Sequence, residues 1–525
     1  MSTIKKIKFD SEGIHELENL PRGIDWPVVY ILENKETKKL YVGETIRAKG
    51  RVSEHLKNPD KTHFKDLYLI SNDRFNKSAI LDIESWLIQY FSADGIYKLE
   101  NKNNGLKNHE YYDRQTYEVE FEKIWDQVRN SGLALNALND LKNSDLFKYS
   151  PYKTLSDDQY YVAQEIYNSL ISEEKHSWII TGGPGTGKTI LAIYLIKYIL
   201  GQKKTEKMTV GLVIPMTALR KSIRKVFRNV EGLSASMVLG PNDVCKKEYD
   251  ILFVDEAHRL KQRKNLAHYP SFDGVNKKLG LPVQATQFDW IKACSRQQVL
   301  FYDPNQSVTP ADIPVEHFED YYAKAMILKS QMRVEGGEDY MKFIENIFEP
   351  ENAKPYKVDK YSFEVHDKLS SMITTIKHHN KSDKLSRIVA GYAWKWVSRG
   401  NPNMPDICIE DQKLFWNSTL EAWPNSQNAI NEVGCIHTVQ GYDLSHVGVI
   451  IGPEIDYDPE TNRIVIYPER YHDFNGKRSL NTPDDLKKYI INIYKTLMTR
   501  GIKGVHLYIC NKNLKDYISG KIIKE

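Results

Sequence analysis

Cysteine is scarce: five in 525 residues, at Cys245, Cys294, Cys408, Cys435 and Cys510, far apart and with no CxxC pair. That excludes a disulfide framework and a structural zinc knuckle, and a reducing cytoplasm is the expected compartment. Long apolar runs are missing too. No stretch offers the ~18 uninterrupted apolar residues of a membrane span, and mean hydropathy is −0.53. The opening MSTIKKIKFDSEG carries charge without the apolar run of a secretory signal. There is no internal repeat and little net charge, since 73 Lys and Arg against 69 Asp and Glu leave +4. Hydrophobic residues at 41% and charged residues at 27% are a globular mix, which excludes disorder and fibrous repeats. At ~150 residues per domain the length corresponds to about three and a half domains, each large enough to fold without staples.

Residues 1–25 read as an exposed lead-in. Residues 26–110 form one compact α/β unit. In it Val28 to Leu32 and Lys39 to Gly43 are β-rich runs on either side of polar ENKETK, which predicts a hairpin. Helices are expected at about 48–57 and 79–92. Residues 111–150 are a polar, aromatic linker with one helix, expected to pack because it is not glycine- and serine-rich. Beyond Ser150, short apolar strands alternate with helices: WIIT, VGLVI, ILFVD, QVLFYD, AMIL, RIVAG, GCIHT, VGVIIG and VHLYIC. Such alternation predicts parallel sheets covered by helices. The fold class is therefore α/β, with two parallel-sheet domains at 151–335 and 336–525. Only 259–290 and 453–486 look long and irregular.

GGPGTGKT, spanning Gly182, Gly183, Pro184, Gly185, Thr186, Gly187, Lys188 and Thr189, follows the strand WIIT and opens the apolar helix ILAIYLIKYIL. That is the full phosphate-loop pattern in its required context. Backbone N–H groups cradle phosphate oxygens, Lys188 meets the β and γ phosphates, and Thr189 offers its hydroxyl to Mg²⁺. The strand ILFVD then ends in Asp255 and Glu256, placing one carboxylate for Mg²⁺ and one to polarise the attacking water. ALRKSIRKVFRN sets Arg220, Arg224 and Arg228 at i, i+4 and i+8, and RLKQRK from Arg259 adds a second basic cluster. Either could grip a phosphate backbone or be a solvated face.

In the first unit, Tyr30 and Tyr41 lie on the two hairpin strands, and Arg51 and His55 share a helix face at i, i+4. Along ILDIESWLIQYF, Ile80, Ile83, Leu87, Ile88 and Phe91 form an apolar stripe. Glu84 falls inside it, with Asp82, Ser85 and Gln89 opposite. A core-facing carboxylate is costly unless a cation or metal meets it. Two tyrosines, an arginine, a histidine and such a glutamate suit metal-assisted phosphodiester cleavage.

Two resemblances follow from these residues. Over about 26–108 the chain resembles the GIY-YIG endonucleases, its triplets reading VVY and YVG, with Val28 in place of the first glycine. The resemblance implies that Tyr30 and Tyr41 activate or position water and that Arg51 steadies the scissile phosphate. His55 joins them, and Glu84 holds one divalent metal. Asn101 resembles that family's late asparagine. From Ser150 to Cys510 the chain resembles superfamily 1 helicases with RecA-like lobes, and within them the bacterial Schlafen-type helicase-like domains, through QMRVEGGEDY, RIVAGYAWKW and TRGIKG. That implies Gln159 at the adenine edge and Gln306 near the γ-phosphate. Arg333 and Arg500 would reach across the cleft, and Gly441 and Asp443 would belong to the IHTVQGYD motif. Tyr302 and Asp443 depart from the usual glycine and glutamate. The implied cofactors are ATP with Mg²⁺ or Mn²⁺ (ligands Thr189 and Asp255) and one divalent metal at Glu84. The implied partner is nucleic acid, DNA rather than RNA, with oligomeric state open. The function expected is an ATP-dependent nuclease–translocase suited to restriction, repair or defence against phage. The alternative is an ATP-switched nucleic-acid-binding protein with an inactive nuclease domain.

Overall fold

The computed structural model describes residues 2–101, 114–142, 144–172, 177–266, 268–303, 306, 311–313, 315–318, 325–331, 334–359, 361–419, 423–439, 442–473, 477 and 482–523. Arg333 and Gly441 lie outside the described residues. Among the described residues, no helix is long and apolar enough to cross a membrane.

The N-terminal unit runs β1 (Thr3–Lys8), α1 (Ser11–Glu18), β2 (Val28–Asn34), β3 (Lys39–Thr45), α2 (Ala48–Lys57), β4 (Asp66–Ser71), α3 (Lys77–Asp94) and β5 (Lys98–Leu99). The sheet order is β1-β4-β2-β3-β5, antiparallel except for the parallel β3–β5 pair. The expected hairpin and both expected helices are present. The expected lead-in is not: β1 pairs with β4 from Thr3↔Ser71 to Lys8↔Asp66. Its sequence hides this because it is an edge strand. Ile7 alone is buried, while three lysines face outward, a charge pattern that protects a sheet edge from further pairing.

Residues 114–142 and 144–150 pack as a layer. Helix α4 (Arg114–Asn130) turns Tyr117, Phe121, Ile124, Trp125 and Val128 inward, against Ile83, Leu87 and Phe91 of α3. Ser85 and Gln89, expected on the open side, are buried and bonded to each other, Gln89 Nε2 donating to Ser85 Oγ at 3.1 Å.

Short α5 (Leu138–Lys142) and α6 (Asp145–Lys148) lead into the first lobe. Its elements include α7 (Asp157–Ile171), β6 (Trp178–Gly182), α8 (Lys188–Leu200), β7 (Val210–Val213), α9 (Thr217–Asn229), β8 (Val238–Leu239), β9 (Tyr249–Val254), β10 (Ser295–Tyr302) and β11 (Ala325–Leu328), with two further helices, Tyr269–Lys278 and Gln287–Cys294, between β9 and β10. The order β11-β6-β10-β9-β7-β8 is parallel throughout. Val226 and Val230 of this lobe are buried in the same apolar cluster as α3 and α4, so the nuclease-like unit and the lobe share a core.

The second lobe holds a parallel sheet in the order Ser362–Val365, Gly501–Ile509, Leu444–Ile451, Arg387–Ala390, Val433–Gly434. GCIHT is a strand only at its start. Thr438 Oγ1 accepts from the Cys435 N–H at 3.0 Å and donates to the Cys435 carbonyl at 2.9 Å, turning Ile436–Val439 into a helical turn. Residues 259–290, expected to be irregular, carry a helix at Tyr269–Lys278, whereas 391–419 and 423–432 hold short turns and one ribbon of Ile407–Ile409 against Gln412–Leu414.

Candidate functional site

The phosphate loop joins β6 to α8 at the carboxyl edge of the first sheet. Gly185 and Gly187 sit at φ 89° and 75°, in the left-handed region that side chains disfavour. Lys188 Nζ donates to the carbonyls of Gly182 at 2.5 Å and Gly183 at 2.9 Å. It lies 3.7 Å from Asp303. Thr189 Oγ1 donates to Asp255 Oδ2 at 2.8 Å. The other carboxylate oxygen, Asp255 Oδ1, is buried without a hydrogen-bond partner among the described residues. A hydroxyl beside an orphaned carboxylate oxygen fits Mg²⁺, which would be held by Thr189 and Asp255. Burial and the Glu256 charge push the Asp255 carboxyl up, a cost a cation would remove. Burial opposes the charge on Glu256 as well, yet His258 and Lys188 hold it below the usual carboxylate range.

His258 has no role in the sequence reading, but the geometry gives it one. Its Nδ1 accepts the Asp303 N–H at 3.3 Å, which leaves the proton-bearing Nε2 facing Glu256 Oε2 at 2.8 Å. Tyr302 packs edge-on against that ring, centroids 6.0 Å apart, so the departure from glycine supplies a brace. Gln159 spends its side chain locally. Its Oε1 accepts from Ser156 N–H at 3.1 Å and its Nε2 donates to the Thr186 carbonyl at 2.9 Å, steadying the loop. Gln306 Nε2 donates to Asp303 Oδ2 at 2.6 Å. Arg500, 2% exposed, crosses from the second lobe and donates from Nη2 to Gln306 Oε1 at 3.3 Å. The cleft between the lobes, about 260 Å³, is lined by the loop, Glu256, Gln306, Asp443 and Arg500. Lys148 and Lys153 of the connecting segment line it too. No motif marks those two lysines, because tertiary packing brings them there.

In the N-terminal unit, Tyr30 stands opposite Gly43 and Tyr41 opposite Leu32, a diagonal pair on one face with ring centroids 6.4 Å apart. A Cβ on Gly43 would lie 2.3 Å from the Tyr30 hydroxyl, so this glycine makes room for the ring. Tyr30 Oη and His55 Nε2 are 2.7 Å apart. Tyr30 is 1% exposed and stands behind the site. Tyr41, Arg51, His55, Glu84 and Asn101 all face one cavity of about 1040 Å³. Asn101 clamps β3, donating to the Val42 carbonyl at 2.7 Å and accepting its N–H at 3.1 Å. Arg51 pairs with Glu54 at 2.9 Å, and the Lys61 ammonium lies 3.6 Å from the Tyr41 ring centre. Sequence reasoning missed Lys61, a lone lysine outside any pattern.

Burial and the Arg51 charge push His55 down to about 4, which leaves a neutral imidazole. Burial and the Glu44 charge push Glu84 up to about 7. No described residue donates a hydrogen bond to Glu84. An unpartnered carboxylate facing a polar cavity fits a divalent metal. Burial and the Glu84 charge also raise the Tyr41 hydroxyl. A cation on Glu84 would cancel that charge and ease Tyr41 toward ionisation.

The two basic clusters serve the fold instead of forming free phosphate stripes. Arg220 donates to the Ile214 carbonyl at 2.7 Å and Arg224 to the Val238 carbonyl at 3.0 Å, leaving Arg228 exposed. Arg259 and Lys261 pair with buried Asp312, and Arg263 with Asp273 at 2.7 Å.

Comparison with known proteins follows these sites. Residues 27–102 match the GIY-YIG catalytic domain. Residues 175–511 match the family described as Schlafen group 3, DNA/RNA helicase domain. An uncharacterised protein of Saccharomyces cerevisiae is 25% identical over 421 residues, 69% of this chain and 90% of its own. Among solved structures, the arterivirus nonstructural protein 10 helicase aligns at TM-score 0.31 and 14% identity, covering 67% of this chain. The chain spans 64% of that helicase. The Pif1 helicase from Bacteroides aligns at TM-score 0.27 and 10% identity, covering 66% of this chain and 91% of its own. The helicase-domain match runs over well over half of the 525 residues, and the protein therefore belongs to the Schlafen group 3 DNA/RNA helicase domain family, with a GIY-YIG catalytic domain on its N-terminal side.

Proposed function

We propose that the protein is an ATP-hydrolysing, metal-dependent nuclease that cuts nucleic acid in its N-terminal unit. The carrying observation is Glu84, a half-buried carboxylate with no hydrogen-bond donor among the described residues, facing the same cavity as Tyr41, Arg51 and His55. Glu84 would hold the metal, which supplies Lewis-acid stabilisation of the phosphate when bound. Arg51 neutralises a non-bridging oxygen, while neutral His55, positioned by Tyr30, and Tyr41 orient water for in-line attack. In the interlobe cleft, Lys188 meets the β and γ phosphates, Thr189 and Asp255 hold Mg²⁺, and Glu256, oriented by His258, polarises the attacking water. Arg500, carried by Gln306 at the edge of that cleft, and Arg333 stabilise charge on the transferred phosphoryl group. Such an enzyme suits nucleic-acid restriction, repair or defence against phage, with DNA as the favoured substrate.

The test incubates wild type, Glu84→Gln and Lys188→Ala with labelled DNA or RNA and Mg²⁺ or Mn²⁺. Cutting by wild type, lost in Glu84→Gln with ATP hydrolysis intact, supports the reading. Nucleotide-dependent binding without cutting under either metal identifies the ATP-switched binder instead.

A further inference from the structure

The cavity beneath Glu84 has a far wall that the nuclease-like unit does not supply. Tyr167 of α7, Tyr198 of α8, and Lys203 and Lys204 in the turn after α8 all line it, and all belong to the first ATPase lobe. We propose that this wall is the second half of the nuclease's substrate cleft and that it holds a single strand of nucleic acid. The strand's bases stack on Tyr167 and Tyr198, and its phosphates meet Lys203 and Lys204. This rests on the nuclease reading above and names the substrate form that the reading leaves open.

Charge on the wall supports it. Of the acids lining the cleft, Glu100 is matched by Lys39 at 2.7 Å and Lys61 at 3.7 Å, and Glu231 on the far wall by Lys98 at 2.6 Å, while exposed Asp60 and half-buried Glu84 lie on the nuclease-like side. Of the cations, Arg51 pairs with Glu54, and Lys197 donates to the Glu231 carbonyl. Lys203 and Lys204 are exposed and engage none of the described residues, so the uncommitted charge on this wall is positive. Positive charge that costs no broken ion pair is what a phosphate backbone recruits most cheaply.

The aromatic groups support it independently. Tyr167 and Tyr198 meet edge to face, centroids 5.1 Å apart at 75°, and both are partly exposed. Tyr152, from the segment joining the two units, also lines the cavity. It is 6% exposed, and its hydroxyl has no hydrogen-bond partner among the described residues. A buried hydroxyl left unpaired is costly and would be satisfied by a base edge or a phosphate oxygen. Tyrosine faces bind unpaired bases, whose rings are open to stacking, whereas a duplex hides them between neighbouring pairs.

The experiment uses the full-length protein with a fluorescein-labelled single strand and a labelled hairpin duplex. Anisotropy is read in chelator over a salt series, and cutting is read with Mn²⁺. Wild type should bind the single strand more tightly than the duplex. Lys203→Glu/Lys204→Glu should weaken single-strand binding about tenfold or more and reduce the salt slope by about 1.4, at ~0.7 per phosphate contact on a single strand. Its cutting should show a raised KM with kcat little changed, and ATP hydrolysis without nucleic acid should match wild type. Lys203→Gln/Lys204→Gln should fall between, and Tyr198→Leu should weaken binding without changing the salt slope. If wild type cuts but the lysine pair leaves Kd, KM and salt slope unchanged, or if wild type prefers the duplex, the cleft proposal falls and the nuclease reading stands. If wild type cuts nothing under either metal, yet single-strand binding still depends on Lys203 and Lys204, the nuclease reading falls and the strand-binding wall stands.

Discussion

The role proposed for Glu84 carries a cost in stability. A half-buried carboxylate without a partner is disfavoured as an ion, and burial with the Glu44 charge raises it to about 7. Glu84→Gln keeps the shape and removes the charge, so it should abolish cutting while raising the Tm of chelated protein at pH 8; a lower Tm would show that Glu84 braces the fold. Lys153 gives the pH prediction. Burial lowers its ammonium to about 8 against the opposing pull of Asp443, with Lys148 adding to the lowering. Phosphate binds the charged form, so nucleotide affinity should decline as pH rises through about 8. Lys153→Met should remove that decline at the cost of overall affinity; an unchanged pH profile would place Lys153 outside the phosphate field. Residue chemistry was legible in the sequence where a motif fixes spacing, as from Gly182 to Thr189. His258 lay inside DEAH without a role, because only the Asp303 N–H reveals which of its nitrogens carries the proton.

Helix α9 shows why periodicity can mislead. Arg220, Arg224 and Arg228 repeat at helical spacing, but spacing fixes only the face and not what lies beside it. Here the residue after β7 and the first residue of β8 present the Ile214 and Val238 carbonyls to the guanidinium groups. Replacing Arg224 by Ala should therefore destabilise the protein by about 1–3 kcal/mol, read as a lower denaturation midpoint, since a charged donor to a partly buried carbonyl is lost. Single-strand affinity should hardly move; a large affinity loss with stability intact would restore the phosphate-stripe view. The same limit explains β1, whose lysines disguise an edge strand, and GCIHT, where Thr438 closes a turn that β-rich composition conceals. The alternation of strands and helices after Ser150 was readable because parallel strands buried on both faces are apolar runs. Helix α4 was readable as a helix. Its place as a cover over α3 depends on the meeting of Phe121 and Trp125 with Tyr90 and Phe91, which no local pattern encodes.

At the scale of the molecule, the two cavities share walls. Helix α8 begins at Lys188 in the nucleotide cleft and reaches the nuclease cavity with Tyr198, its 13 residues spanning ~20 Å at 1.5 Å each. The connecting segment does the same over one peptide bond, since Tyr152 lines the nuclease cavity and Lys153 lines the nucleotide cleft. The core common to α3, α4 and α9 leaves little room for independent swinging. Arg500 already meets Gln306 across the lobes, so phosphates entering between Lys188, Lys153 and Arg500 would act on both connections. Spatial continuity is not coupling, which has to be measured as a dependence of one site on the other's ligand. Nicking rates of a labelled single strand should therefore differ between no nucleotide, ATP and ADP for the wild type. In Lys188→Ala the three rates should become equal, because the β and γ phosphates lose their charge partner. Arg500→Ala should cut ATP turnover far more than ATP affinity if, as proposed, its charge acts on the transferred phosphoryl group, and should leave nicking locked at its ATP-bound rate. Should Lys188→Ala keep the wild-type spread of rates under all three conditions, the shared helix and connector are scaffolding, and the two proposed sites work without regard to each other.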